Sequence, residues 1–292
     1  MLGVSMIVFF FVHFIPGDPV EVILGETARL SDREALREAL GLNQPIMTQW
    51  LNYMSGLVQG DLGTSLYSRQ PVTTLILERL PASAELSLAA MTVAVILSVP
   101  LGVWAAMHKG KLWDMATSSF MLLGIAIPNF VFGPVLVLIF SLWLGWFPVS
   151  GRDGFLSLVL PAITLGTVMT AILARMLRSS LLEVMNEDYI RSARARGFSP
   201  LRVMFRHALR NAMLPMITLL GLQLGGLLAG AVITETVFDW PGIGRLTVEA
   251  IQRRDYPLLQ GCILFISAVY VVVNMLTDIV YQQIDPRLRC AA

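Results

Sequence analysis

The residue types that carry out catalysis or bind nucleotides do not occur in this chain at the spacings those chemistries require. A phosphate-binding loop of the form Gly-x-x-x-x-Gly-Lys-Ser/Thr is absent, as are His-Glu-x-x-His and Gly-x-Ser-x-Gly. His13, His108 and His207 lie far apart in the sequence and do not predict a metal site. No nucleophile–base pair is evident, so we expect no catalytic residue, no metal and no cofactor in this chain.

Three acidic residues, Glu85, Glu235 and Asp278, border long runs of uncharged residues. A carboxylate within a lipid bilayer is costly, which makes such residues candidates for proton coupling. Each of them bounds a run and does not interrupt it, and no series of carboxylates resembles a proton relay. We favour the interpretation that they lie at the membrane interface or are paired within a helix bundle.

The composition predicts a membrane protein. Of the 292 residues, 55% are hydrophobic and only 14% are charged, whereas a soluble domain carries about 25% charged residues. Lipid must therefore solvate much of the surface. The formal net charge of +1 argues against nucleic-acid binding. The two cysteines, Cys262 and Cys290, lie in an apolar run and in the extreme tail, so we expect no disulfide between them.

Uncharged runs predict an all-α, polytopic fold with six transmembrane helices, because a span needs about 20 apolar residues. The runs are Met1–Gly17, Leu86–Met107, Met115–Gly151, Gly154–Ala174, Asn211–Thr234 and Tyr256–Thr277. The third is too long for one straight helix, and the residues Trp143 to Pro148 at its end are typical of an interfacial aromatic belt and a turn. The first is short, and we expect a transmembrane helix that begins upstream rather than a signal peptide.

The basic residues predict the orientation of these helices. They concentrate in Lys109 and Lys111, in the stretch from Arg175 to Arg210 with its eight arginines, and in Arg287 and Arg289 of the tail. With six spans these regions share one side, which the positive-inside rule places in the cytoplasm together with both termini. We thus expect a first transmembrane helix at 1–17, an extracytoplasmic segment at 18–85 and a transmembrane core at 86–292, which contains a cytoplasmic loop at 175–212.

Helix start and stop signals divide the extracytoplasmic segment. Pro16 to Pro19 predicts the end of the first helix. Ser31 and Glu34 have the spacing of a capping box. The helix that they predict extends to about Leu40, with Gly41 as its left-handed terminator. A second short helix is expected over Pro45–Gln59.

The cytoplasmic loop has the pattern of two short helices separated by Gly197. Asn186 is the expected N-cap of the first, with Glu187 and Asp188 in its first turn, where the helix dipole favours acids. Gly197 is the expected C′ residue. Ser199 and Pro200 have the types that favour the N-cap and N1 positions of the second helix.

The second helix is predicted to be amphipathic. Arg202, Arg206 and Arg210 recur on one face, and the opposite face is apolar, with Leu201, Phe205, Ala208, Leu209 and Ala212. Arginines alone are equally typical of a solvated loop that obeys the positive-inside rule, but two capped helices hinged at a glycine favour a docking surface.

In the fifth run, Gly221-x-x-x-Gly225 and Gly226-x-x-x-Gly230 predict close helix packing, either within the chain or against a partner subunit.

Several motifs together match one known family. They are Phe14-Ile15-Pro16-Gly17-Asp18-Pro19, Leu40-Gly41-Leu42-Asn43-Gln44-Pro45, Gln59-Gly60-Asp61-Leu62-Gly63, Tyr189-Ile190-Arg191-Ser192-Ala193-Arg194-Ala195-Arg196-Gly197, His207-Ala208-Leu209-Arg210-Asn211-Ala212, Trp240-Pro241-Gly242 and Arg254-Asp255-Tyr256-Pro257. On these residues the chain resembles the B-type inner-membrane permeases of the dipeptide, oligopeptide and nickel class of ATP-binding-cassette (ABC) importers.

The resemblance implies a type I ABC importer fold and a set of partners. These are a homologous second permease, two ATPase subunits beneath the pore and an extracytoplasmic solute-binding protein. It also implies that the cytoplasmic loop engages the ATPase, through Tyr189, Ile190, Arg191, Ala193, Arg194, Ala195, Gly197, Ser199, Pro200, Arg202 and Phe205. Arg191 stands where the general importer motif has a glutamate, and Pro215 comes later than its usual proline, so individual contacts are not carried over.

The resemblance leaves the solute open among di- and oligopeptides, glutathione, nickel complexes and other small solutes. The residues disfavour two other function classes. A secondary transporter is disfavoured because no convincing internal repeat is present and the arginine-rich loop has no role in such a scheme. An intramembrane enzyme is disfavoured because a nucleophile–base pair is missing.

Overall fold

The structure, a computed structural model, describes residues 2–14, 19–25, 28–39 and 41–284. In chain order the helices are α1 (Leu2–Phe14), α2 (Pro19–Leu24), α3 (Leu30–Ala39), α4 (Ile46–Val58), α5 (Val72–Met107), α6 (Leu112–Ala126), α7 (Asn129–Leu136), α8 (Phe155–Val184), α9 (Asp188–Ala195), α10 (Pro200–Arg202), α11 (Leu209–Gly230), α12 (Val232–Val237), α13 (Ile243–Gln252) and α14 (Tyr256–Ile284). Two π-helical segments, Val137–Trp143 and Val203–Ala208, continue α7 and α10. The prediction of an all-α membrane protein is confirmed.

Some predicted features lie outside the described residues. They are the residues Pro16, Gly17 and Asp18 of the predicted first helix stop, Leu40 as the predicted last residue of the next helix, and the tail with Arg287, Arg289 and Cys290.

Three helices are long and apolar enough to cross a bilayer: Val72–Met107, Phe155–Val184 and Tyr256–Ile279. A fourth crossing is available if Leu112–Ala126 and Asn129–Trp143, which meet at 103°, form one broken span. The described residues therefore do not establish the count of six. The expected break in the third run is present, and it falls at Pro128, which has no backbone N–H to continue the helix.

The backbone divides into two compact units. The first combines Met1–Ser83 with Pro241–Val269, and the second combines Ala84–Trp240 with Tyr270–Ala292. The core of the first unit contains Val72, Ile76, Ile243, Leu259 and Cys262. The second unit has two apolar clusters, one centred on Met121 and Ala174 and one on Leu160 and Phe238.

Glycines of the second unit allow the backbones of α5 and α8 to approach each other closely. A Cβ added to Gly102 of α5 would lie 2.9 Å from the carbonyl oxygen of Ala174 in α8. A Cβ on Gly166 of α8 would lie 2.9 Å from the carbonyl oxygen of Ala90 in α5. Small residues serve this purpose at helix interfaces in membranes.

The predicted capping box at Ser31 is wrong. Helix α3 begins at Leu30, and the carbonyl oxygen of Arg29 accepts the amides of Asp32 and Arg33 at 3.1 Å each. The Ser31 hydroxyl contacts the Asp32 carboxylate instead, at 3.4 Å. The predicted stop at Gly41 is confirmed, because this residue has φ 68° and its amide donates to Glu38 O at 2.9 Å.

Candidate functional site

The arginine-rich loop begins where α8 ends, and its first cap differs from the prediction. Glu187 occupies the N-cap position of α9, and its carbonyl oxygen accepts the amides of Ile190 at 3.1 Å and Arg191 at 3.2 Å. Asn186 is not the cap. Its side-chain amide donates back to Leu182 O at 3.0 Å, so Asn186 completes the end of α8. The acidic first turn is confirmed in Asp188.

Gly197 ends α9 as predicted. Its φ is +79°, the left-handed region that side chains with a Cβ rarely adopt. The Gly197 amide donates to Arg194 O at 2.9 Å, and the Phe198 amide donates to Ala193 O at 3.4 Å. This pair of hydrogen bonds is a Schellman motif, which turns the chain sharply after the helix.

The second helix of the loop starts at the predicted place but does not stop. Ser199 occupies the N-cap position with extended backbone, and Pro200 follows at N1. The Ser199 side chain makes no capping hydrogen bond. From Pro200 the chain continues through the π-helical segment Val203–Ala208 into α11, so this helix and the fifth predicted run form one continuous element.

The predicted apolar face of this helix is wrong in part. Leu201 and Phe205 are 58% and 55% exposed, whereas Val203 and Met204 are buried. Ala208 and Ala212 are buried as expected. The π-helical turn explains the difference, because its wider spacing shifts the side chains around the axis relative to a regular α-helix.

The outer surface of the loop is basic and partly apolar. Its exposed arginines are Arg191, Arg194, Arg196, Arg202, Arg206 and Arg210. Among the described residues only Arg191 of this set has an ion pair, with Asp188 at 3.2 Å. Tyr189, Leu201 and Phe205 are exposed beside them. Arginine and aromatic side chains are enriched in protein interfaces, so the surface has the composition of a docking site.

Side-chain contacts hold the two helices of the loop together. The Asn211 amide donates to the Tyr189 hydroxyl at 2.7 Å and joins α9 to α11. The rings of Phe198 and His207 stack at 5.5 Å, and the Arg202 guanidinium lies 5.8 Å from the Phe198 ring centre. The shape of the exposed loop surface is therefore set by contacts within the chain.

The structure places the predicted loop residues on both sides of this element. Ile190 and Ala193 point inward and are buried. The others are exposed: Tyr189, Arg191, Arg194, Ala195, Gly197, Ser199, Pro200, Arg202 and Phe205. Phe198 and Asn211 lie within the predicted loop at 175–212 but are not among the residues predicted to be functional. Asn211 lies in a motif that carried the resemblance, but its contact with Tyr189 depends on the fold.

The acidic residues at the ends of runs have separate surroundings. Glu85 pairs with Arg152 at 2.6 Å, as expected for a paired carboxylate. Glu235 is buried in α12, and Asp278 is exposed on α14.

Cys262 is buried, and the His108 ring contacts Trp104 O at 2.9 Å.

The fold matches that of solved membrane transport proteins. The MetNI methionine ABC transporter, solved in an inward-facing conformation, matches with a TM-score of 0.62 and 14% identity, over 72% of this chain and 96% of that chain. An amino acid ABC transporter solved with histidines matches with a TM-score of 0.55 and 16% identity, over 74% and 94%. The fold is therefore that of an ABC importer permease.

Sequence comparison defines the family. Residues 98–289 match the family described as the inner membrane component of binding-protein-dependent transport systems, and residues 1–89 match its N-terminal family. The chain belongs to this family of inner-membrane permeases, which are not themselves enzymes.

Individual relatives match over nearly the whole chain. The di/tripeptide permease DppB of Pseudomonas aeruginosa is 45% identical, over 98% of this chain and 94% of its own length. The dipeptide permease DppB of Escherichia coli K12 is 42% identical over 99% and 94%. The glutathione permease GsiC of Escherichia coli O6:H1 is 42% identical over 98% and 94%.

Proposed function

We propose that this chain is one of two pore-forming subunits of an ABC importer that carries di- or oligopeptides or glutathione-like peptides into the cytoplasm. The observation that carries the proposal is the 42–45% identity, over nearly full length, to permeases for dipeptides and glutathione. Nickel or another small solute is the alternative cargo that the resemblance leaves open.

In this proposal the arginine-rich loop docks an ATPase subunit. The loop is exposed and basic, and its two helices are fixed by the Gly197 turn and the Tyr189–Asn211 hydrogen bond. A rigid element can transmit a displacement of the ATPase to α8 and α11, which enter and leave the loop. The chain has no phosphate-binding loop of its own, so hydrolysis belongs to the ATPase partners.

The remaining partners follow from the same assignment. A homologous second permease completes the pore, and a solute-binding protein delivers the peptide from the extracytoplasmic side. The termini and the arginine-rich loop are assigned to the cytoplasm on the positive-inside rule. No cofactor is assigned to this chain.

Uptake in intact cells tests the solute assignment. A strain without other peptide importers, with and without this gene, is supplied with labelled dialanine, labelled glutathione or nickel. We expect deletion to reduce uptake of dialanine, glutathione or both, and to leave nickel uptake unchanged. Loss of nickel uptake alone would contradict the peptide assignment and favour the alternative.

A further inference from the structure

A buried carboxylate holds a small hairpin of the first unit in place. Asp255 is 1% exposed, and it accepts hydrogen bonds from the Ser65 hydroxyl, from the Leu66 amide at 3.1 Å and from the Leu258 amide at 3.3 Å. The hairpin, residues 64–71, is closed by the bridge between Thr64 and Pro71. Such a hydrogen-bond network makes the hairpin rigid.

Two arginines, one in the hairpin and one directly after α13, have backbone conformations that arginine rarely adopts. Arg69 has φ 57° and Arg254 has φ 51°, and Asp239 is the other described residue besides glycine with positive φ. Arg254 ends α13 in the position where glycine is usual, since its amide donates to Ile251 O and the next amide, of Asp255, donates to Ala250 O. Glycine would relieve this strain, so each arginine occupies its position at a cost in backbone energy.

The third arginine of the group is held by an aromatic ring. The Arg253 guanidinium lies 4.1 Å from the centre of the Tyr67 ring, and Tyr67 is 59% exposed at the hairpin tip. Arg69 and Arg253 are exposed and Arg254 is half-buried. Within the described residues none of these three arginines has an ion pair with a carboxylate. Their charge is thus available to an outside partner.

We infer that this surface, formed by Tyr67, Arg69, Arg253 and Arg254 and called here the arginine platform, docks an acidic face of the solute-binding protein. The inference rests on the proposed function and names the surface that the binding protein uses. Three arginines without an ion pair among the described residues surround an exposed tyrosine and fit an acidic protein surface. Arginine and tyrosine are enriched among the interface residues that contribute most to binding. The rigid hairpin lowers the entropic cost of association.

The test measures ATP hydrolysis by the assembled importer in nanodiscs as the concentration of its solute-binding protein is raised. Arg253→Ala is combined with Arg69→Gly and Arg254→Gly, since glycine removes charge and relieves backbone strain. We expect the half-saturating concentration of binding protein to rise about tenfold, with a smaller rise at high salt, where charges are screened. We also expect the melting temperature of the triple variant to stay the same or increase. That result would show that weaker docking does not come from a folding defect.

Arg29→Glu is the matched control, because Arg29 is an exposed arginine of the same unit outside the platform. It should leave the half-saturating concentration unchanged. An unchanged value in the triple variant would overturn the inference, as would a change only in the dependence on anionic lipid, which would assign the platform to lipid headgroups. If the unmodified importer shows no stimulation by any binding protein, the proposed function itself fails.

Discussion

Arg178 and Asp114 form an ion pair with two parallel hydrogen bonds, Nε to Oδ1 at 2.8 Å and Nη2 to Oδ2 at 2.8 Å. Asp114 also accepts the Gly110 amide at 3.0 Å. Asp114 lies in the first turn of α6, and Arg178 lies near the end of α8, which leads into the arginine-rich loop. The pair therefore fixes the helix that carries the loop to its neighbour.

Removal of one partner of this pair should destabilise the protein. Arg178→Met leaves the Asp114 carboxylate buried without a counter-charge. Removing one partner of a fully buried ion pair would cost more folding free energy than this. Because the Arg178 side chain is 26% exposed, we expect the free energy of unfolding to fall by about 2 kcal/mol. Unfolding in mixed micelles measures it. The double variant Asp114→Leu with Arg178→Met should recover most of the loss, and equal losses in the single and double variants would contradict this account.

Gly197→Val should uncouple transport from ATP hydrolysis. A Cβ at Gly197 has open space around it, so the penalty comes from φ +79° and not from a clash. The turn between α9 and α10 should change while the pore remains intact. We expect normal membrane insertion, loss of solute uptake and either weaker ATPase binding or hydrolysis without transport. Co-purification of the ATPase and solute uptake measure both effects.

Gly60→Val is the matched control for this variant. Gly60 has φ +79° and also has no neighbouring atom within 4 Å, but it lies between α4 and α5, outside the loop. It should preserve coupling. Gly197→Asn should retain most uptake, because asparagine tolerates the left-handed region. Arg202→Ala should be mild, since an exposed charge contact contributes about 0–1 kcal/mol. Full uptake by Gly197→Val would show that the loop is a plain solvated connection.

Two glycines of α11 should respond differently to the same substitution. A Cβ on Gly221 would lie 2.7 Å from the Cβ of Thr277 in α14, a contact that no side-chain rotation relieves. A Cβ added to Gly226, by contrast, would meet no atom within 4 Å. We expect Gly221→Ala to cost about 2 kcal/mol through overpacking and Gly226→Ala to be neutral. Thermal unfolding in detergent measures both, and Thr277→Gly should rescue Gly221→Ala. Equal melting temperatures for the two alanine variants would contradict the packing described here.

Reporter tags test the orientation. Tags at Ala292 and between Lys109 and Lys111 should both report the cytoplasm, and a tag near Gly63 should report the extracytoplasmic side, because the basic regions remain inside. The measurement is accessibility to a membrane-impermeant reagent. Opposite sides for Ala292 and the Lys109 region would overturn the six-span topology.

Local signals in the sequence predicted the helix stops well. Gly41 and Gly197 end helices in the left-handed conformation, as the glycine pattern indicates. Ser199 and Pro200 take the expected first positions of the next helix. These features depend on a few neighbouring residues, which is why the sequence predicts them. The cap at Ser31 failed because α3 starts two residues earlier than that cap implies, and the cap at Asn186 failed because Glu187 takes the N-cap position one residue later. In both helices a backbone carbonyl accepts the first amides.

Features that depend on distant residues were not predictable. The Asp255–Ser65 contact joins residues 190 positions apart, and the Arg178–Asp114 pair joins residues 64 apart. The π-helical turn at Val203–Ala208 shifted the apolar face, and no simple residue pattern marks it. The GxxxG pattern left open whether its glycines pack internally. Gly221 does so, against Thr277.

The central claim is tested most directly by measuring which energy source drives transport. The chain is reconstituted into liposomes with its second permease, both ATPase subunits and the solute-binding protein, and uptake of labelled dialanine or glutathione is followed. We predict accumulation that requires ATP, the binding protein and an intact Gly197, with no ATP hydrolysis by the isolated chain. Uptake by the chain alone, driven by a proton or sodium gradient without ATP, would contradict the account and identify a secondary transporter.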